Sequence, residues 1–158
     1  LADQKGGYTI NLQVDDQLCL LGEESELTSA FSNLIFNAIV HTPPGTVITI
    51  SWESLDNQAC LTVADSGPGI EQRHIPRLTE RFYRADKARS RQSGGTGLGL
   101  AIVKHIIGRH DGELQIASQL GSGSQFKCLF PEDVILHKRN LKTLEGQHSD
   151  DLESAQDL

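Results

Sequence analysis

The chain has 158 residues, 37% of them hydrophobic and 22% charged, with a formal net charge of −7. That length suits one domain with a sizeable core, and the composition is that of an ordinary soluble globular protein. The acidic balance argues against broad nucleic-acid binding, and no apolar run approaches the roughly 20 residues that cross a bilayer. The chain opens at Leu1 and contains no Met, the pattern expected of a soluble piece of a longer protein with no membrane contact of its own.

Tyr8–Val14 and Val47–Glu53 alternate apolar and polar residues and are predicted to be half-buried strands. Between them, Leu18–Leu21 is a short apolar run closed by Gly22. Glu23, Glu24 and Glu26 then form the acidic first turn of a helix, a placement that suits the positive end of the helix dipole. Leu27, Phe31, Leu34 and Ala38 recur at helical spacing and are predicted to face the core. Asn33, Asn37 and His41 form an i, i+4, i+8 row at the edge of that stripe, and Pro43, Pro44 and Gly45 end the helix.

Ala59–Asp65 is a further strand, with Asp65 at its exit and Gly67, Pro68 and Gly69 in the following turn. Glu71–Gly95 is polar and poorly periodic, with one short helix predicted near His74–Arg81. It holds Arg73, Arg77, Arg81, Arg84, Lys87, Arg89 and Arg91, half of the 14 basic residues. From Leu98 a helix is predicted with Leu98, Ala101, Ile102, His105 and Ile106 on its inner face and Gly112 as its stop. Glu113–Ser118 and Ser124–Phe130 read as a hairpin across Gly121–Gly123. Beyond Pro131 the periodicity fades into an acidic tail, predicted to be disordered by about Glu145.

Five to six strands and three helices, grouped rather than alternating, predict an α+β fold with helices on one face of a mixed sheet. Cys19, Cys60 and Cys128 lack metal-ligand spacing and are read as free, buried thiols.

Two glycine clusters, DSGPGI at Asp65–Ile70 and GGTGLGL at Gly94–Leu100, frame the basic stretch. Glycines let backbone amides approach phosphate oxygens, and the free amides at a helix start attract anions. An asparagine carbonyl can ligate a hard cation such as magnesium. The dinucleotide fingerprint needs its glycines directly after the first strand of a βαβ unit, and the GxxxxGK[ST] phosphate loop is absent. Taken together, the three segments point to a site for a magnesium nucleotide.

The order NLIFNAIVHT (Asn33–Thr42), DSGPGI, ERFYR (Glu80–Arg84), GGTGLGL and GSGSQF (Gly121–Phe126) resembles the catalytic ATP-binding domain of bacterial sensor histidine kinases. The resemblance covers about Tyr8–Pro131, and RLTERFYRADKARSR with GLGLAIVKH looks closest to the phosphate-regulon branch. It implies the Bergerat fold of gyrase, HSP90 and MutL ATPases. That is a two-layer α/β sandwich, with a mixed sheet of about five strands, three helices on one face and a flexible ATP lid over about residues 71–97. Residues 1–7 would end a linker from a dimerisation domain, and 132–158 would form the tail.

The resemblance also implies the ligands, ATP and Mg2+, and a role for each residue. Asn37 matches the magnesium-binding asparagine, and Asn33 the second polar residue near the phosphates. Asp65 matches the acceptor of the adenine amino group, with capping of the DSG turn as its competing role. Gly67 and Gly69 would let the chain pass close to the base, with Ile70 packed against it. Ser124 stands where the family has a threonine near adenine. Gly95, Thr96, Gly97, Leu98 and Gly99 would serve the phosphates. Arg84 resembles the arginine that reaches the γ-phosphate, while Phe82 and Tyr83 are expected to anchor the lid to the core. His41 stands near the phosphates and is not the phosphorylated histidine, which belongs to a separate helical dimerisation domain. Val40 replaces a phosphate-contacting lysine of some members.

Related hydrolases place a water-activating glutamate four residues before the magnesium asparagine. Here that residue is Asn33, which cannot act as a general base at neutral pH. The resemblance therefore implies a protein-histidine kinase that spares ATP for an incoming imidazole and signals to a response regulator. It further implies a cytoplasmic domain of a parent anchored in the bacterial inner membrane. An anti-sigma-type serine kinase and a nucleotide-sensing pseudokinase are the alternatives on the same fold.

Overall fold

The computed structural model describes residues 2–3, 7–85 and 96–138. Gly94, Gly95, Lys87, Arg89, Arg91 and the chain beyond residue 138 lie outside the described residues. Strands β1 (Ala2–Asp3), β2 (Thr9–Val14), β4 (Val47–Leu55), β5 (Gln58–Asp65), β6 (Glu113–Gln119) and β7 (Gly123–Phe130) form one mixed sheet in the order β1-β2-β4-β5-β7-β6. β2 and β4 are parallel and every other pair is antiparallel. Helix α1 (Glu24–His41) supplies the crossover that the parallel pair requires. β4 turns directly into β5 through Asp56 and Asn57, whose φ values of 49° and 62° are those of a tight two-residue hairpin.

Helices α1 and α2 (Gly99–Arg109) pack together and cover one face of the sheet. Leu27, Ala30, Leu34 and Ala38 of α1 meet Val103, Ile106 and Ile107 of α2 over Ile48, Val63, Phe126 and Phe130. Fully burying an aliphatic side chain such as Leu34 contributes about 1.5–3 kcal/mol. Phe31, Trp52 and Phe130 form an aromatic trio with centroids 6.3–6.5 Å apart. The Trp52 indole donates to the Leu18 carbonyl at 3.0 Å, so its buried N–H is satisfied.

The inner face of α2 differs from the one the spacing predicts. Val103, Ile106 and Ile107 are buried, whereas Ile102 is 41% exposed and His105 lies outside. Two packing directions, toward α1 and toward β6, rotate the buried arc past Ile102. The helix stop is also shared differently. Asp111, not Gly112, takes the left-handed turn (φ 56°), and the amides of Asp111 and Gly112 bond back to Gly108 and Ile107. Gly112 serves packing, since a β-carbon there would lie 2.8 Å from the Leu129 carbonyl oxygen.

Two further expectations change. The helix predicted near His74–Arg81 is a single 3-10 turn at Ile75–Arg77, with Pro76 inside it, so the described residues hold two α-helices rather than three. Beyond Pro131, where periodicity fades, a 3-10 turn at Glu132–Val134 leads into β8 (Ile135–His137), which pairs with β3 (Leu18–Leu20) in a small second sheet. Cys60 and Cys128 are buried free thiols and Cys19 is half-buried. Burial pushes the Cys128 thiol up to about 12. No helix among the described residues is long and apolar enough to cross a membrane.

Candidate functional site

Helix α1 lines up most of the polar residues singled out above. Asn33 and Asn37 lie one turn apart and face the first residue of α2. A β-carbon on Gly99 would sit 3.1 Å from Asn33 Oδ1 and 3.8 Å from Asn37 Nδ2. The side-chain Nδ2 of Asn33 donates to the Ser29 carbonyl at 2.8 Å, which turns its oxygen toward α2. The start of α2 carries no side-chain cap, so its first amides stay available.

One turn further along α1, His41 comes under the influence of Arg84. The His41 imidazolium is disfavoured first by partial desolvation and then by the Arg84 charge, so its pKa lies below the usual histidine value. Arg84 Nη2 is buried and has no hydrogen-bond partner among the described residues. A buried guanidinium nitrogen without a partner costs free energy that a bound anion would recover.

The helix ends on Thr42, whose hydroxyl bonds back to the Ala38 carbonyl at 2.6 Å. Its methyl group abuts Gly67: a β-carbon there would lie 2.7 Å from Thr42 Cγ2 and 2.8 Å from Asp65 Oδ1. Tyr8 holds the same corner by donating to the Thr42 carbonyl at 3.1 Å. Asp65 caps the DSG turn, one of its two oxygens accepting the Gly67 amide at 2.9 Å. Burial raises the Asp65 carboxyl above its usual range, and the amides of Gly67 and Ser124 partly offset this.

Gly69 has φ 73°, and a β-carbon there would fall 2.1 Å from the Gln119 carbonyl oxygen. Its close approach is therefore to the β6–β7 turn. Ile70 packs at the core edge, and its amide donates to the Ser118 hydroxyl at 2.8 Å. Ser124 is buried opposite Asp65 in the β5–β7 register. Ser118 and Thr42 thus support the site although neither stood out in the sequence.

In the basic segment, Tyr83 bonds to His74 Nδ1 at 2.5 Å, and Arg77 stacks on the Tyr83 ring at 4.1 Å. Phe82, expected to anchor the lid, has its side chain 71% exposed. Its backbone makes the contact instead, the Phe82 amide donating to the Gly97 carbonyl at 2.9 Å. Thr96 is exposed and Leu98 half-buried. A cavity of about 690 Å³ lined by His74, Arg77, Tyr83 and Arg84 opens here. Its lining includes neither Asn37 nor Asp65 and shares Arg84 with the candidate site.

Residues 22–134 match the family model for histidine kinase-, DNA gyrase B- and HSP90-like ATPases. The chain is 50% identical over 123 residues to the phosphate regulon sensor protein PhoR of Pseudomonas aeruginosa, covering 78% of this chain and 28% of that protein. It is 44% identical over 133 residues to PhoR of Haemophilus influenzae, covering 84% and 31%. The chain thus spans under a third of these curated relatives. Among solved structures, the mycobacterial sensor histidine kinase MprB aligns with a TM-score of 0.71 at 31% identity, covering 79% of this chain and 84% of that one. Full-length ShkA in complex with AMPPNP aligns at 0.67 and 25%, covering 83% and 26%. With a fold, a motif order and a family match in agreement, the chain belongs to the histidine kinase-, DNA gyrase B- and HSP90-like ATPase family.

Proposed function

We propose that this chain is the catalytic domain of a two-component sensor histidine kinase of the phosphate-regulon type. It binds Mg-ATP along α1 and passes the γ-phosphoryl group to a histidine on a separate dimerisation domain of its parent, for relay to a response regulator. The observation that carries this reading is the α1 row. Asn33 and Asn37 face the uncapped start of α2, and Thr42 closes against Gly67 beside Asp65. The two PhoR relatives and the nucleotide analogue named with ShkA support it. The parent would be anchored in the inner membrane, with this domain in the cytoplasm.

In this reading Asp65 accepts the adenine amino group, and Ile70 and Ser124 complete the base pocket, with Gly67 and Gly69 shaping its wall. The phosphates lie toward Thr96, Gly97, Leu98, Gly99 and the neighbouring Gly95. The donor set fits magnesium, a hard cation that takes one or two protein oxygens and completes its shell with phosphate oxygens and water. Asn37 would hold it by the carboxamide oxygen, where it neutralises charge on the transferring group. Arg84 turns Nη2, which has no partner among the described residues, to the γ-phosphate, and Asn33 fills the place of a general base without being one. The protein's work is positioning and charge neutralisation.

The test is phosphotransfer from labelled ATP in the presence of the parent's dimerisation domain. Acid-labile, base-stable phosphohistidine is expected. Acid-stable phosphoprotein would indicate a serine kinase, and ATP binding without any transfer would indicate a pseudokinase.

A further inference from the structure

From the hydrogen bonds of Ser118, we infer that this residue sets the hydrogen-bond polarity of the base pocket and so the preference for a 6-aminopurine. The inference rests on the adenine reading of Asp65. Three partners surround the Ser118 hydroxyl. The Ile70 amide donates to it at 2.8 Å, the Gly123 carbonyl oxygen lies 2.9 Å away, and the Ser124 hydroxyl lies 2.9 Å away. A serine hydroxyl has one proton and two lone pairs. The Gly123 carbonyl brings no proton, so the Ser118 proton goes there. The remaining contact then needs a proton from Ser124. All three positions on Ser118 are used.

The consequence falls on Ser124. Its only proton points at Ser118, so it offers lone pairs alone to anything bound beside it. Ser124 pairs with Asp65 across β5–β7 and with Ser118 across β6–β7, so the three side chains share one face in a row. A carboxylate next to an acceptor-only hydroxyl makes a wall without donors. Such a wall suits the 6-amino group of adenine and repels the 6-oxo group of hypoxanthine. With its hydroxyl fully taken by protein groups, Ser118 is a positioning residue that works through Ser124 and through the Ile70 amide.

The test is calorimetric affinity of the chain for ATP and for inosine triphosphate with magnesium, in the wild type, Ser118→Ala, Ser124→Ala and the double variant. Ser118→Ala frees the Ser124 proton to turn into the pocket, and the ATP/ITP affinity ratio is expected to fall about tenfold. In the Ser124→Ala background the same change is expected to leave the ratio unmoved. Ser118→Cys nearly keeps the volume with a much weaker acceptor for the Ser124 proton, and carries the test with the same expected fall if the alanine variant does not fold. A wild-type ratio retained in Ser118→Ala and Ser118→Cys, with both nucleotides weakened equally, overturns the inference. So does an equal fall with and without Ser124. If the wild type itself does not favour ATP, the adenine reading fails, a result distinct from a discriminating wild type that Ser118 does not affect.

Discussion

Thr42 and Gly67 are in direct contact: the threonine methyl occupies the space where a β-carbon on the glycine would lie, 2.7 Å from it. This contact joins the end of α1 to the turn that presents Asp65. Gly67→Ala must displace either Thr42 or the Asp65 carboxylate, whose Oδ1 would be 2.8 Å from the new atom. ATP affinity is expected to fall by about tenfold or more, since reorienting one charged acceptor costs about 1.5–3 kcal/mol. Calorimetric titration, with thermal melting to confirm folding, checks it.

Asp65 itself should show a trade between stability and binding. Its carboxyl is raised from the ordinary 3.8, mainly by burial, so ionisation disfavours the folded state. Stability held by the protonated form is present at low pH and lost as pH rises through the raised value. Asp65→Asn is therefore expected to be at least as stable as wild type at pH 7, with the difference vanishing in acid. It should also bind ATP roughly 10- to 150-fold more weakly. Melting curves across pH, paired with affinities, read both. A variant less stable than wild type at pH 7 would contradict the burial argument.

Asn33 faces the start of α2, where a carboxylate would stand near the phosphates in the proposed complex. Asn33→Glu is expected to raise the basal rate of ATP hydrolysis by about tenfold or more, because it adds a general base. Phosphate release measured without any dimerisation domain checks this. An unchanged rate would mean that residue 33 lies off the path of attacking water.

Arg84 Nη2 is buried with no hydrogen-bond partner among the described residues. Arg84→Ala is expected to lower phosphotransfer by about 10²-fold or more while changing ATP affinity much less, since an arginine on the γ-phosphate acts chiefly on transition-state charge. Equal losses in binding and transfer would place it elsewhere.

Asp111 holds the left-handed turn after α2 at φ 56°, a conformation that favours glycine. Asp111→Gly is expected to stabilise the fold by roughly 0.5–1 kcal/mol. A shift of the urea midpoint at constant slope would show it.

The sequence and the structure agree most closely along α1, where caps, apolar spacing and the polar row all point to the same helix. β8 was not legible because three residues in an acidic tail carry no periodicity, and their partner strand lies more than a hundred residues earlier. The helix predicted near His74–Arg81 fails at Pro76, which leaves room for one 3-10 turn. α2 was found but its buried face only in part: Ile106 is buried, whereas Ile102 and His105 share the spacing of a core stripe and packing directions alone decide which arc is covered. In the candidate site, Asn37 and Asp65 were singled out through motifs. Ser118 was not, since a serine in an alternating strand carries no signal until its three partners meet around it.

The most direct test of the central claim is calorimetric binding of ATP with and without magnesium, in the wild type and in Asn37→Ala. The wild type is expected to bind more tightly with magnesium than without it, and Asn37→Ala to lose that difference while remaining folded. Magnesium-dependent binding that survives in Asn37→Ala would contradict the account.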